Sequence, residues 1–160
     1  MLIDRDGLEF IKALEGYSAT AYKDGAGVWT IGYGHTEGVT AQSPILTRDQ
    51  AEQVLIADIE DFEEEIMKAV TVELTANEFV ALLAFLFNIG LTRFLKSTLL
   101  EKLNSGDKLG VSKEFMRWVY ITDPKTGKKI VSEGLKNRRR KESDLFAYDT
   151  RTKKENPTEA

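Results

Sequence analysis

Two acidic residues and a threonine near the N-terminus are spaced as a pair of carboxylates would be for acid–base chemistry. Glu15, Asp24 and Thr30 follow one another at intervals of nine and six residues. One carboxyl group can protonate a leaving oxygen while the other, still ionised, holds a water molecule or stabilises a positive transition state. A chain with 26 acidic residues offers many such spacings by accident. The surrounding sequence must therefore show whether this spacing reflects a catalytic site.

The composition leaves carboxylates as the main acid–base groups. The chain of 160 residues contains no cysteine and a single histidine, His35. This excludes thiolate metal sites, a cysteine nucleophile and sites built on several histidines. We therefore expect no metal and no cofactor, and we predict a structural hydrogen bond for His35.

The charge distribution argues against nucleic acid as a partner. The net charge is −4, and 42% apolar with 30% charged residues is typical of one soluble globular domain. From residue 124 onward, however, 11 basic residues stand against 6 acidic ones. The run from Lys136 to Lys141 fits an anionic partner or a solvated helix end. For Arg139 and Arg140 ordinary surface charge is the favoured interpretation.

The elements that must position Glu15, Asp24 and Thr30 are a first helix and a hairpin. An N-cap at Asp6 and a stop at Gly16 predict a helix that ends at Glu15. Two β-branched and aromatic runs around a glycine-containing turn predict a hairpin between residues 21 and 35. A capping box at Thr47 then begins a long helix to about residue 69, whose acidic side is interpreted as solvated rather than metal-binding.

The second half of the chain is predicted to be helical. A capping box at Thr75 precedes a buried helix, followed by helices near 98–103, 108–119 and 135–148 and a turn at Asp123. Strands and helices in separate blocks indicate an α+β fold within a single domain, residues 1–160. We expect a small β-hairpin lobe (about 15–46), a connecting helix (about 48–69), a larger all-helical lobe (about 75–148 plus the first helix) and a polar tail (149–160).

Several ordered blocks of the sequence resemble the phage-type lysozymes, the endolysins of glycoside hydrolase family 24. The first block is the stretch from Glu15 to His35, which contains the family pattern of Glu, eight residues, Asp, five residues and Thr. Later blocks are Phe85-Leu86-Phe87-Asn88-Ile89-Gly90, Ser97-Thr98-Leu99-Leu100, Phe115-Met116-Arg117-Trp118 and Gly134-Leu135 with Arg138-Arg139. The resemblance covers most of the chain and implies a lysozyme-like fold.

The resemblance also implies a reaction, the hydrolysis of the β-1,4 bond between N-acetylmuramic acid and N-acetylglucosamine in peptidoglycan. Glu15 would be the general acid, kept protonated by a desolvated position. Asp24 would stay ionised and hold a water molecule with Thr30, or stabilise the oxocarbenium-like transition state. A threonine that holds water favours inversion of the anomeric configuration.

Four further residues match family positions in the second half of the chain. Arg138 is expected to approach Glu15, to fix its rotamer and to tether the lobes. Phe87, Asn88 and Ser97 match positions that face the sugar, although Phe87 fits the core equally well.

Two alternative functions are considered, one for a protein with the same fold and one for an enzyme that cleaves the same bond. A catalytically silent peptidoglycan-binding module or phage structural part would be expected to lose Glu15 or Asp24. A lytic transglycosylase would cleave the same bond without a water site. With no export signal or membrane span visible, we expect no stable membrane association. A monomer is the default expectation. The protein would accumulate in the host bacterial cytoplasm, be released by a separate holin and act on peptidoglycan glycan strands in the periplasm.

Overall fold

The computed structural model describes residues 1–155 and the side chains of residues 1–148. The chain forms two compact units, of which the first is Met1–Glu64 and the second begins at Glu65. Helices and two small antiparallel hairpins make up the fold, which confirms the predicted α+β class. None of the described helices is both long enough and apolar enough to span a bilayer.

The first unit contains helix α1 (Arg5–Glu15), strands β1 (Ser18–Lys23) and β2 (Trp29–Gly32), and most of helix α2 (Arg48–Ala69). The two strands pair antiparallel, which confirms the predicted hairpin. The sequence assigns α1 to the helical lobe, whereas the structure groups it with this hairpin. The N-cap of α1 is Asp4 and not Asp6, because Asp4 has extended backbone and accepts a hydrogen bond from the Gly7 amide at 2.9 Å.

The core of the first unit lies where the apolar sides of α1, β2 and α2 meet. Its buried side chains include Leu8, Ile11, Ile31, Ala51, Leu55 and Ile59. At Gly32 the backbone φ is +65°, and an added Cβ would lie 3.2 Å from the Cβ of Ala51. Glycine is therefore required there, because it combines the left-handed backbone with the close approach of β2 to α2.

The second unit contains the end of α2 and a set of short and long helices with a second hairpin. These elements are α3 (Ala76–Ile89), α4 (Leu91–Leu95), α5 (Thr98–Asn104), α6 (Lys108–Glu114), a 3₁₀ turn (Phe115–Arg117), β3 (Tyr120–Thr122), β4 (Lys129–Val131) and α7 (Glu133–Glu155). Helix α3 is the predicted buried helix, since every residue from Val80 to Leu86 is buried, and it packs against α7.

Two helix boundaries of the second unit differ from the predictions, and its two strands were not predicted. The helix expected over 108–119 stops at Glu114, and the turn expected at Asp123 connects two strands. These strands have three residues each, too few to show an alternating pattern. Helix α7 continues to Glu155 instead of ending near residue 148, and residues 156–160 of the predicted tail lie outside the described residues.

Candidate active site

Glu15 is the last residue of α1, as predicted. Gly16 ends the helix with a φ of +69°, and its amide donates to the Lys12 carbonyl at 2.9 Å. This left-handed glycine turns the chain directly from the helix into β1. Because Leu8 and Ile11 hold the buried side of α1, the half-buried Glu15 side chain lies at a well-defined point beside the hairpin.

Asp24 lies at the start of the turn that joins β1 to β2. Its Oδ1 accepts hydrogen bonds from the backbone amides of Ala26 and Val28, both at 2.9 Å. The Asp24 amide in turn donates to the Val28 carbonyl at 2.9 Å. The turn therefore fixes the carboxylate through one oxygen. Among the described residues, Oδ2 accepts no hydrogen bond, so this exposed oxygen remains free to bind water or substrate.

Thr30 lies in β2 and is 4% exposed. Its hydroxyl donates to the Val28 carbonyl at 3.0 Å, the same carbonyl that accepts from Asp24. A hydroxyl carries one hydrogen and two lone pairs. With the hydrogen directed to Val28, the oxygen of Thr30 can act only as an acceptor toward a third group. The turn between the strands thus sets the hydrogen-bonding roles of both Asp24 and Thr30.

Tyr22 lies directly opposite Thr30 in the strand register. Partial burial raises the pKa of Tyr22, and the negative charges of Glu15 and Asp24 raise it further. Both carboxylates therefore lie within electrostatic range of one phenol, so the structure brings Glu15, Asp24 and Thr30 together around Tyr22. Sequence reasoning missed Tyr22, although the alternation of side chains along β1 places it on the face of Thr30.

An ion-pair cluster holds α1 against α2 behind the hairpin. Glu52 accepts hydrogen bonds from Arg5 and, at 3.0 Å, from Lys12. Arg5 and Lys12 together hold the pKa of Glu52 below its ordinary value. The Lys12 ammonium also lies 5.2 Å from the centre of the Tyr33 ring. These contacts fix both the first and the last turn of α1, the helix that ends at Glu15.

His35 makes the structural hydrogen bond that was predicted for it. Its Nδ1 lies 2.7 Å from Oδ2 of Asp58 on α2. Burial raises the pKa of Asp58, while the hydrogen bond and charge of His35 oppose the rise. The pair connects the end of the hairpin segment to α2.

The acidic side of α2 is only partly the solvated face that the sequence predicts. Asp58 is paired with His35, and Glu63 is 3% exposed. The Glu63 carboxylate accepts hydrogen bonds from the backbone amides of Leu2 at 2.6 Å and Ile3 at 3.0 Å. Glu63 therefore secures the N-terminal segment, because a buried carboxylate needs such donors.

The environment predicted for Arg139 is wrong. The sequence favours surface charge, yet Arg139 is 1% exposed. Its guanidinium pairs with Glu142 at 2.5 Å, donates to the Trp118 carbonyl at 2.9 Å and contacts the side-chain oxygen of Asn88. Burial raises the pKa of Glu142, and the charges of Arg139 and Arg138 oppose that rise. Arg140 is exposed, as expected.

The predicted supporting and sugar-binding residues lie in the second unit. Arg138 donates to the Ala84 carbonyl at 2.8 Å and to Glu142 at 3.3 Å, and its approach to Glu15 stays a prediction. Phe87 is half-buried near the end of α3.

The hydroxyl of Ser97 has a structural role that the sequence did not predict. It caps α5 by accepting from the Leu100 amide at 3.1 Å and donates to the Phe94 carbonyl at 2.7 Å. Because Ser97 is also buried, the cap accounts for its hydroxyl without any ligand. Sugar binding by Phe87, Asn88 and Ser97 remains a prediction.

Comparison with known proteins identifies relatives over almost the whole chain. Residues 12–142 match the family model described as phage lysozyme. The chain is 42% identical over 146 residues to an endolysin of Acyrthosiphon pisum secondary endosymbiont phage 1, covering 91% of this chain and 98% of that protein.

Two solved structures are similar in fold as well as in sequence. The endolysin from Escherichia coli O157:H7 phage FAHEc1 superposes with a TM-score of 0.80 at 42% identity, over 91% of this chain and 93% of that one. The muramidase domain of SpmX from Asticaccaulis excentricus superposes with a TM-score of 0.82 at 33% identity, over 90% and 96% of the two chains.

Proposed function

Since this chain belongs to the phage lysozyme family, we propose that it hydrolyses the β-1,4 bond between N-acetylmuramic acid and N-acetylglucosamine in peptidoglycan. Family membership supports a lysozyme-type glycosidase that degrades peptidoglycan. The observation that carries the proposed hydrolysis is the grouping of Glu15, Asp24 and the Thr30 oxygen around Tyr22. One of the solved relatives is itself named a muramidase domain.

Glu15 is the proposed general acid. A glycosidic oxygen is a poor leaving group until it is protonated, so a carboxyl group must deliver a proton to it. Glu15 is half-buried at the end of a helix that its packing and the Glu52 cluster hold in place. Bound saccharide would exclude further water from this position.

Asp24 and Thr30 are the proposed holders of the attacking water. The water would donate one hydrogen to Oδ2 of Asp24 and the other to Oγ1 of Thr30, because both oxygens are acceptors without another donor in the turn. Its lone pair would then point away from both groups, toward the anomeric carbon. As the carbon–oxygen bond breaks, Asp24 takes up the proton of the water and Glu15 gives its proton to the leaving oxygen.

This arrangement predicts inversion at the anomeric carbon. A water held by two side chains attacks from the side opposite to the leaving group, so the β bond gives an α product. NMR of the first product formed from a soluble glycan measures this directly. A β anomer as the first product would contradict the water site and favour a covalent intermediate.

Clearing of permeabilised Gram-negative cells tests the general acid. We expect Glu15→Gln to lose at least a hundredfold in rate, because glutamine has no proton to donate. Glu101→Gln, the same change on the exposed side of α5, is the control and should clear at the wild-type rate. Equal clearing by wild type and Glu15→Gln would contradict the assignment.

Mass spectrometry of digested peptidoglycan separates the alternatives. A hydrolase adds one water to each cleaved bond, a lytic transglycosylase leaves an anhydro sugar, and a silent binding module leaves the glycan intact. All three motif residues are present, and Asp24 and Thr30 offer unused acceptor oxygens. These features favour the hydrolase.

The proposed cellular setting rests on the similarity to phage endolysins. We propose that the protein acts as a monomer on peptidoglycan in the periplasm, after accumulation in the host cytoplasm and release by a holin. Gel filtration and fractionation of lysing cells with and without a holin test these statements. Periplasmic enzyme in cells that lack a holin would contradict the proposed release.

A further inference from the structure

We propose that the Tyr22 hydroxyl is a further substrate-contacting group, which donates a hydrogen bond to an oxygen of the saccharide held between Glu15 and Asp24. This inference rests on the proposed function and adds a residue to its site. Neither the two-carboxylate chemistry nor the water site requires a phenol, so Tyr22 is not accounted for by either.

The strand register places the phenol on the same face as Thr30. Tyr22 and Thr30 are direct partners in the antiparallel pair, and opposed side chains leave a hairpin on the same side, with Cβ atoms about 5 Å apart. Thr30 is 4% exposed whereas Tyr22 is 41% exposed. Of the two opposed side chains, Tyr22 is therefore the one accessible to a ligand.

The hydroxyl of Tyr22 has no partner of its own in the protein. Within the described part of the chain it makes no hydrogen bond, whereas the Tyr17 hydroxyl donates to the Leu46 carbonyl at 2.7 Å. The unpartnered hydroxyl of Tyr22 is thus available to a ligand.

The surrounding charges decide the direction of the hydrogen bond. Glu15 and Asp24 act on Tyr22 electrostatically, and together with burial they raise its pKa and keep the phenol protonated. A protonated phenol beside two acidic groups has a hydrogen to offer, and the oxygens of a sugar hydroxyl or acetamido group are neutral acceptors. The donor would orient the sugar so that its glycosidic oxygen meets Glu15.

The variant Tyr22→Phe isolates the hydroxyl, and Tyr120→Phe is its matched control. Tyr120 is an exposed tyrosine in β3 of the other hairpin. With a soluble hexasaccharide of alternating N-acetylglucosamine and N-acetylmuramic acid, we expect Tyr22→Phe to lower kcat/KM about three- to tenfold, the effect of one neutral hydrogen bond. The melting temperature should not change, and Tyr120→Phe should match the wild type in both measurements.

A binding measurement distinguishes failure of the Tyr22 inference from failure of the proposed function. In a Glu15→Gln background we expect Tyr22→Phe to weaken affinity for the same hexasaccharide about three- to tenfold, and the ¹³Cζ resonance of Tyr22 to shift when the glycan is added. Unchanged affinity and rate, or a lower rate with unchanged affinity and a lower melting temperature, would overturn the role of Tyr22. Failure of the wild-type protein to add water to the glycan would instead overturn the proposed function.

Discussion

The two hairpins of this protein use the same turn chemistry, yet only one of them carries a candidate site. In the first, the amide of Asp24 donates to the Val28 carbonyl at 2.9 Å, and in the second the amide of Asp123 donates to the Lys128 carbonyl at 2.8 Å. In each, Oδ1 of the aspartate accepts from the amide two residues later at 2.9 Å. In each, a glycine with positive φ, Gly27 or Gly127, completes the turn.

The difference lies in what the second carboxylate oxygen does. Oδ2 of Asp123 accepts from the Thr126 hydroxyl at 3.1 Å, so both oxygens of that carboxylate serve the turn. Oδ2 of Asp24 makes no such bond within the described residues, and the hairpin beside it carries a buried threonine and adjoins Glu15. A turn aspartate is therefore a candidate reactive group only where one carboxylate oxygen is left without a partner in the turn and other polar groups lie near it.

The largest effect should come from removing the charge of Asp24, and the same change at Asp123 is its control. Asparagine keeps the Oδ1 acceptor, so Asp24→Asn and Asp123→Asn should both preserve the turn. We expect Asp24→Asn to lower kcat by at least a hundredfold, because the acceptor for the proton of the water is lost. Asp123→Asn should stay within twofold of wild type in a glycan hydrolysis assay. Similar losses in both variants would place the effect in the turns rather than in the site.

A second comparison concerns the strand threonines Thr30 and Thr122. Valine has nearly the same shape but cannot accept a hydrogen bond, so Thr30→Val should lower kcat about ten- to a hundredfold through misplacement of the water. Thr122→Val on exposed β3 should leave kcat unchanged. Single-turnover kinetics with the soluble glycan measures both. Full activity of Thr30→Val would remove threonine from the water site.

Substitution of the turn glycines should have a smaller effect, and it distinguishes a loss of stability from a loss of activity. Gly27 and Gly127 have φ values of +80° and +69°, and an added Cβ would meet nothing within 4 Å at either position. Alanine at either position should therefore cost about 1 kcal/mol of unfolding free energy from backbone strain alone. Urea denaturation should give similar losses for both variants. Only Gly27→Ala should also lower kcat, and equal activities would mean that the first turn tolerates movement of Asp24.

The smallest effect concerns the support behind the first hairpin. Arg5 and Lys12 lower the pKa of Glu52 in the folded protein, so its ionised form stabilises the fold at neutral pH. That stabilisation is lost as the pH falls below the ordinary glutamate value of about 4.3 and through the lower folded value.

Glu52→Gln should therefore cost about 0.5–1 kcal/mol of unfolding free energy at pH 7 and much less at pH 3. Urea denaturation at the two pH values measures the difference. Glu101→Gln, an exposed change on α5, should show no such pH dependence. An equal loss at both pH values would mean that packing of the Glu52 side chain, and not its charge, holds α1.

Local sequence signals predicted most of the elements that carry the site. The stop at Gly16, the hairpin turn and the capping boxes at Thr47 and Thr75 all appear where the sequence predicts them, because each depends on residues within a few positions of one another. The second hairpin and the early end of α6 were missed, since three-residue strands and a 3₁₀ turn leave no periodic pattern.

Taken alone, the sequence placed Glu15 at a helix end and placed Asp24 and Thr30 in one hairpin, because a helix stop and a short hairpin depend on residues only a few positions apart. Tertiary structure alone decided which charged side chains are buried. Glu63 finds its amide donors 60 and 61 residues away, and Arg139 meets Asn88 across 51 positions. A buried charge is stable only beside such distant partners, and no local pattern records whether the fold will supply them.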